Sequence, residues 1–542
     1  MPFVKIDGED LEVAQGTIVL EAIKQLGKEI PHYCYHQGLK IVASCRMCLV
    51  KIQGFPKLVP SCQTRIAGIP REKKADGKYD MVVITNDQEV KDAQESILEF
   101  LLLNHPVDCP ECDQAGECLL QDYSYRYGKD KSRFDFEKRV PDRKDLGPEI
   151  LLVTTRCILC SRCVRFTQEI TGTNELMVRN RGYHSEINVF PGQSLNNKLS
   201  MNTADICPVG ALVTKDFLFK PRNWRYQNAR SICPGCSVGC NIKIESMEEN
   251  NQIFRIKPEF NADVNQWWMC DEGRLLYHKY KKLDRLEYPL HQANNELNRT
   301  NWRYLIQQVQ QKLSEYSPKE IALVGSGYAT NEENYLLQKI FREALDCENI
   351  AVNEKFVRTE DTVYPKFTIK GEKLPNYQGA LDALNPTINF AELLDKIEKK
   401  EIKAVYFLDG SPDYSLDDKE FETLKKLNYL ILQDIKKSPL IEIAHVVFAG
   451  ASGYEKEGTF TNYKNTVQRI FPAILPAGAA KPDFEIIADL AQLFGFTGYL
   501  RAGMIFPEIS QELEGYGDMD YNRLGKTGLP KMVLKKAQKV DA

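Results

Sequence analysis

The chain has 542 residues, and its 71 basic and 75 acidic side chains give a formal charge of −4, so it lacks the positive field that nucleic-acid binding draws on. With 43% hydrophobic and 27% charged residues and only 26 prolines it reads as ordinary globular protein several domains long, which excludes disorder as its main theme. No apolar run approaches the roughly 18 residues a membrane helix needs, and Met1-Pro2-Phe3-Val4-Lys5-Ile6-Asp7 is not an export signal, so a soluble, unexported chain is expected.

In chain order, apolar residues at 3–6 and 11–13 flank Asp7-Gly8, a dipeptide that favours a type I′ hairpin. Thr17 then precedes an amphipathic stretch over 18–26, with Ile18, Ala22, Ile23 and Leu26 at helical spacing and Gly27 as a stop. Cysteines follow. Of 16 in the chain, 15 fall between Cys34 and Cys270, and only Cys347 lies beyond. A chain this long builds a core without disulfides, and unexported thiols stay reduced, so metal ligation is the better reading.

The first group is Cys34, Cys45, Cys48 and Cys62, spaced C-x10-C-x2-C-x13-C. Hairpin, helix, then cysteine loop resembles the order in plant-type 2Fe-2S ferredoxins, although the first gap is longer than theirs. Four thiolates could also hold zinc. A helix with Val90, Ala93, Ile97 and Leu101 as its apolar stripe leads to the second group, His105, Cys109, Cys112 and Cys118, spaced H-x3-C-x2-C-x5-C. Zinc fits this donor set equally well. If it holds a cluster, the neutral imidazole removes one negative charge and should raise the reduction potential above that of an all-cysteine site. His32, His36, His184, His278, His291 and His445 read as ordinary surface or core residues.

The third group, Cys157, Cys160 and Cys163 with a distant Cys207-Pro208, resembles the 4Fe-4S motif of bacterial ferredoxins. Arg156, Arg162 and Arg165 interleave with it, either tempering a cluster's charge or, for most of them, forming a solvated basic face. The fourth group, Cys233, Cys236, Cys240 and Cys270, resembles the 4Fe-4S segment at the front of molybdopterin oxidoreductases, with zinc the alternative.

Beyond residue 282, strand-length apolar runs at 321–324, 404–408, 429–432 and 446–449 alternate with helical stretches, predicting a doubly wound α/β region. Gly325-Ser326-Gly327 lacks the third glycine of a dinucleotide fingerprint, and neither a phosphate-cradling loop nor a Ser-His-Asp arrangement is evident. Residues 458–462, 467–468 and 476–490 resemble the body of molybdopterin oxidoreductases such as formate dehydrogenase. Lys464-Asn465-Thr466 replaces that family's Glu-Gly-Arg, Glu272 replaces its lysine, and Cys347 reads as a buried free thiol, so the region is expected to be a truncated relic without molybdenum.

The ordered set of four motifs, over residues 1–282, resembles the 75 kDa iron–sulfur subunit family of respiratory complex I (NADH-quinone oxidoreductase), called the G subunit in bacteria, and the fourth quartet points to a bacterial form. The resemblance implies one 2Fe-2S cluster on Cys34, Cys45, Cys48 and Cys62. It implies three 4Fe-4S clusters: on His105, Cys109, Cys112 and Cys118; on Cys157, Cys160, Cys163 and Cys207; and on Cys233, Cys236, Cys240 and Cys270, the last a side site. The fold class expected is multidomain α+β and α/β: an N-terminal β-grasp 2Fe-2S ferredoxin-like domain at 1–80, 4Fe-4S modules at 81–125, 140–225 and 226–282, and a degenerate molybdopterin-oxidoreductase-like region at 283–542. The implied role is electron relay from a flavin/NADH-binding subunit toward quinone, coupled to proton translocation by the complex. No complete active site or catalytic residue is expected on this chain. Partners would be other peripheral-arm subunits, with membrane association only indirect, at the cytoplasmic side of a bacterial inner membrane. The alternative is the catalytic subunit of a soluble NAD-dependent formate dehydrogenase or related hydrogenase.

Overall fold

The computed structural model describes residues 1–66, 79–293, 296–354, 359–414 and 416–532, and the chain folds into two compact units. One comprises Met1–Tyr226 with Tyr364–Phe367, the other Gln227–Val363 with Thr368–Ala542. The mixture of helix and sheet is the α+β and α/β class expected.

The first unit opens with a five-stranded mixed sheet in the order Glu9–Glu12, Phe3–Ile6, Met81–Ile84, Leu49–Ile52, Val59–Pro60. Asp7 and Gly8 both have positive φ, +48° and +92°, and pair Ile6 with Glu9, the two-residue turn the sequence predicts. Helix Val19–Gln25 packs Leu20 and Ile23 against Val4, Ile6, Val50 and Val83, all fully buried. Gly27, at φ +70°, ends it: its N–H bonds Lys24 O and the next N–H bonds Ile23 O, closing the helix with a Schellman pair.

Helix Gln88–Leu102 starts at Asp87, whose carboxylate accepts from Val90 N at 3.0 Å. Its buried stripe is Val90, Gln94 and Leu98, and not the predicted Val90, Ala93, Ile97 and Leu101. The helix packs on both strand Leu49–Ile52 and helix Leu119–Tyr127, so its most covered line falls between two neighbours, and the predicted residues flank it half-buried. The three-stranded sheet Leu212–Thr214, Ile150–Val153, Arg143–Asp145 and the helix Arg162–Glu169 complete the frame around the third cysteine group.

The second unit begins with the meander Gln227–Ile232, Asn241–Met247, Gln252–Pro258 and helix Asp271–Lys282. Its body is a seven-stranded sheet. Five parallel strands run in the order Asn349–Asn353, Ile321–Ser326, Ala404–Leu408, Tyr429–Asp434, Val446–Ala449. That is a doubly wound 2-1-3-4-5 order, with the antiparallel hairpin Leu290–Ala293 and Glu296–Arg299 on one edge. Helices cover both faces of the sheet, around two separate apolar clusters.

Candidate metal centres

The first unit holds three of the cysteine groups. In the first, Cys34, Cys48 and Cys62 are buried and Cys45 half-buried. Ala43 and Arg46, at φ +50° and +61°, fold the intervening loop tightly enough for Cys34 N–H to reach Cys45 Sγ at 3.5 Å. Thiol–thiol hydrogen bonds join Cys34 to Cys45 and Cys62, and Cys48 to Cys62. These bonds pull the Cys34 thiol down and Cys48 to about 7, and push Cys45 and Cys62 up. These interactions place the four sulfurs within reach of one another.

In the second group, a turn carries Cys109 and Cys112, and Cys118 stands at the start of helix Leu119–Tyr127. Burial raises the thiols of Cys112 and Cys118, the latter to about 11, and Cys118 feels the charges of Cys112 and Cys109. His105 sits beside Asp108 and Lys138, and burial lowers its imidazole to about 4. Its Nδ1 is buried without a hydrogen-bond partner. A neutral imidazole with an orphaned buried nitrogen suits a metal ligand.

The third group converges completely: Cys157, Cys160, Cys163 and Cys207 line one cavity walled by Leu152, Ile187, Val209 and Leu212. Leu159 and Ser161, at φ +53° and +60°, provide the strained turns between its cysteines, a cost of about 1–3 kcal/mol each that persists at functional sites. Desolvation raises Cys157 to about 12 and Cys160 to about 11, and Cys163 well above the usual thiol range. In the second unit, Cys233, Cys236, Cys240 and Cys270 likewise line one cavity, and all four thiols are raised by burial. Thiolates in such cages become favourable only when a metal takes up their charge. A tetrahedral zinc draws its sulfurs to about 2.3 Å. Two of the quartets stand around cavities.

The basic face expected at Arg156, Arg162 and Arg165 is not solvated: the three are 4%, 6% and 7% exposed. Arg156 pairs with Asp108 at 2.5 Å, joining the second group to the third. Arg162 donates to Tyr35 O at 2.6 Å and Ile206 O at 3.1 Å, and Arg165 to Cys34 O at 2.5 Å and Cys160 O at 3.4 Å, joining the first group to the third. Residues next to cysteines are buried here because the cysteine loops pack on one another, a long-range fact that motif spacing does not carry.

Other supporting residues were also hidden from the motifs. Gly210 packs against Cys112: a Cβ there would stand 2.2 Å from its Sγ. Tyr33, its hydroxyl buried and unpartnered, lies near both Cys45 and Cys118 and packs on Tyr123 at 5.4 Å. In the second unit, the hairpin Gly458–Thr461 and Thr466–Ile470 places Asn462 and Gln468 against the fourth cysteine loop. Asn462 Nδ2 donates to Val238 O at 3.3 Å, and Gln468 Nε2 to Gly239 O at 3.1 Å. Glu272, which stands where the molybdopterin family has lysine, pairs with Lys373 at 2.6 Å on the wall of the same cavity. Cys347 is 3% exposed in the sheet core and donates to Ile321 O at 3.2 Å.

The family comparisons assign iron–sulfur cluster-binding domains to the segments that carry the four cysteine groups. Residues 3–68 match a 2Fe-2S iron–sulfur cluster binding domain, and residues 94–133 the NADH-ubiquinone oxidoreductase-G iron–sulfur binding region. Residues 147–213 match the ferredoxin-like domain of NADH-quinone oxidoreductase subunit 3. Residues 226–281 match the Fe4S4 domain of molybdopterin oxidoreductases, and residues 372–493 the molybdopterin oxidoreductase family itself. The chain is a homologue of the G-type and 75 kDa iron–sulfur subunits of NADH-quinone oxidoreductase. It is 39% identical over 353 residues, 65% of this chain and 50% of the relative, to the NADH-quinone oxidoreductase G subunit of Rickettsia conorii. It is 39% identical over 343 residues, 63% of this chain and 47% of the relative, to the NADH-ubiquinone oxidoreductase 75 kDa subunit of Reclinomonas americana. The matched stretch thus spans about half the length of these relatives. Among solved structures, an NAD+-reducing [NiFe]-hydrogenase chain is 28% identical, at a TM-score of 0.36, over 41% of this chain and 91% of that one. No helix among the described residues is long and apolar enough to cross a membrane.

Proposed function

We propose that the chain is an electron-transfer subunit of an NADH:quinone oxidoreductase, relaying electrons from a flavin/NADH-binding subunit toward quinone while the whole complex translocates protons. Cys34, Cys45, Cys48 and Cys62 would hold a 2Fe-2S cluster. His105 with Cys109, Cys112 and Cys118, Cys157 with Cys160, Cys163 and Cys207, and Cys233 with Cys236, Cys240 and Cys270 would each hold a 4Fe-4S cluster. When bound, such clusters supply one-electron redox centres. The chain's residues hold the ligands in place, exclude water and fix the spacing. The observation that carries this reading is the packing of three cysteine groups into one unit, tied by Arg156, Arg162 and Arg165 across the loops. The other subunits of the complex would be its partners, and the membrane's cytoplasmic face its place.

The molybdopterin-type region is read as holding no molybdenum. At the carboxyl ends of its parallel strands, Lys436 pairs with Asp409 and Asp434, and Lys456 with Glu333 and Asp483, all buried. These charges pair with one another, and Cys347 bonds into the sheet core. Cys347 is the one cysteine beyond Cys270 and is engaged in the sheet core, which counts against a formate dehydrogenase.

Metal analysis with low-temperature EPR tests the proposal. About 14 iron per chain, two plus three times four, without molybdenum or NADH turnover by the isolated chain, is expected. Zinc in place of iron, or NADH oxidation by the chain alone, would sink it.

A further inference from the structure

Arg162 and Arg165 lie on the first two turns of helix Arg162–Glu169, between and beside the ligands Cys160 and Cys163. Both are buried, 6% and 7% exposed. Their hydrogen bonds all end on neutral oxygens: Tyr35 O and Ile206 O for Arg162; Lys40 O, Cys34 O, Cys160 O and Ser161 Oγ for Arg165. Neither makes an ion pair with a carboxylate among the described residues, in contrast to Arg156 on Asp108. Two guanidinium charges are thus buried without a protein counter-charge, a state that costs several kcal/mol per ion unless a partner is supplied. The groups beside them that become anionic when a metal binds are the thiols of the first and third groups. Burial pushes the Arg162 guanidinium down and Arg165 adds to this, while Cys160 and Cys207 of the third group and Cys34 of the first oppose it.

We infer that Arg162 and Arg165 are positioning residues whose charges are balanced by the clusters of the first and third groups together, holding both reduction potentials up and locking the distance between the two sites. The inference rests on the electron-carrier reading above. Adding an electron to an anionic site next to a fixed positive charge is easier than adding it alone, so removing the charge should lower both potentials. The carbonyl acceptors make the pair a brace as well. One guanidinium bonds the residue after Cys34 and the residue before Cys207; the other bonds Cys34 and Cys160 themselves.

The test is an EPR-monitored redox titration of the iron-replete full chain and of Arg165→Gln, Arg165→Lys and Arg162→Lys, with the exposed Arg133→Gln as control. Arg165→Gln should shift the reduction equilibrium of both the 2Fe-2S and the third-group 4Fe-4S signals at least tenfold toward the oxidised form, which is 59 mV for one electron. The lysine variants, which keep the charge, should shift them less, and Arg133→Gln not at all. Unmoved potentials in an Arg165→Gln chain with full iron content overturn the inference. If Arg165→Gln fails to hold iron, Arg165→Lys decides: both signals retained supports a charge role, and both lost overturns it. A wild-type chain that holds no iron would instead sink the electron-carrier reading.

Discussion

Gly210 offers a sharp test of how the second and third cysteine groups meet. It sits in the Cys207-Pro208-Val209-Gly210 turn, yet its missing side chain serves a different group: an added Cβ would stand 2.2 Å from Cys112 Sγ and 3.0 Å from Gln114 Cβ. Ordinary contact between such atoms is about 3.5–4.0 Å, so Gly210→Ala requires a displacement of more than about 1 Å. Cys112 cannot move that far and keep an iron bond of about 2.3 Å, and its turn is pinned by the Cys112 N–H bond to Asp108 O at 3.0 Å. Overpacking of this kind costs about 1–3 kcal/mol, which weakens the second site's affinity for its cluster about five-fold to about 140-fold. Iron analysis should fall below about 14 per chain, with the EPR signal of the His105 group reduced most. Gly517→Ala, where an added Cβ meets nothing within 4 Å, is the matched control and should keep full iron. Full iron with an unshifted second signal in Gly210→Ala, or selective loss of the third signal, would refute the reasoning.

Three further outcomes follow from the geometry. His105→Cys should keep four iron at the second site and lower its potential, because the neutral imidazole is replaced by a thiolate; redox titration reads the direction, and a rise would contradict the assignment. Cys347→Ala should leave iron content unchanged and cost about 1 kcal/mol in denaturant unfolding, since the thiol lies in the sheet core and bonds a backbone carbonyl. Glu333, buried beside Lys456 and Asp483, has its carboxyl pushed up to about 7 by burial, so the folded state takes up a proton that the unfolded chain releases at a lower pH. Its contribution to stability is therefore full below about pH 4.5 and is lost as pH rises through about 7. Unfolding midpoints of the wild type should fall relative to Glu333→Gln between pH 5 and 8, and parallel curves would refute that sign.

What could be read from the sequence follows from the range of the interaction concerned. The Asp7-Gly8 turn and the Gly27 helix stop depend on backbone conformation within a few residues, and the structure has both. The four central strands announce themselves as apolar runs because they are buried on both faces. Strand Asn349–Asn353 is missed because asparagines at both ends leave only Ile350, Ala351 and Val352 as a run, and the polar edge hairpin Leu290–Ala293 with Glu296–Arg299 carries no such run. The cysteine spacings mark the candidate ligands, because tight loops must bring sulfurs to one point. They put Arg162 and Arg165 beside the ligands but do not show that these are buried, nor what Gly210 and Asn462 touch, because those contacts depend on a second loop that arrives from far along the chain. The distances in sequence are large: 131 residues separate Arg165 from Cys34, and 224 separate Asn462 from Val238.

Burial holds the third-group thiols and Cys118 in the protonated form, so those cages are complete only with a metal, yet the loops that form the first three groups are also one another's walls. Arg156 binds Asp108 from beside Cys157, Gly210 is packed by Cys112, and Arg165 binds Cys34. Loss of metal at one group therefore removes support from the next, and the three should fill as a cooperative set. The fourth cage, built within the second unit from Cys233, Cys236, Cys240 and Cys270 and held by Asn462 and Gln468, draws its support from that unit's own hairpin, so its filling should be independent of the other three.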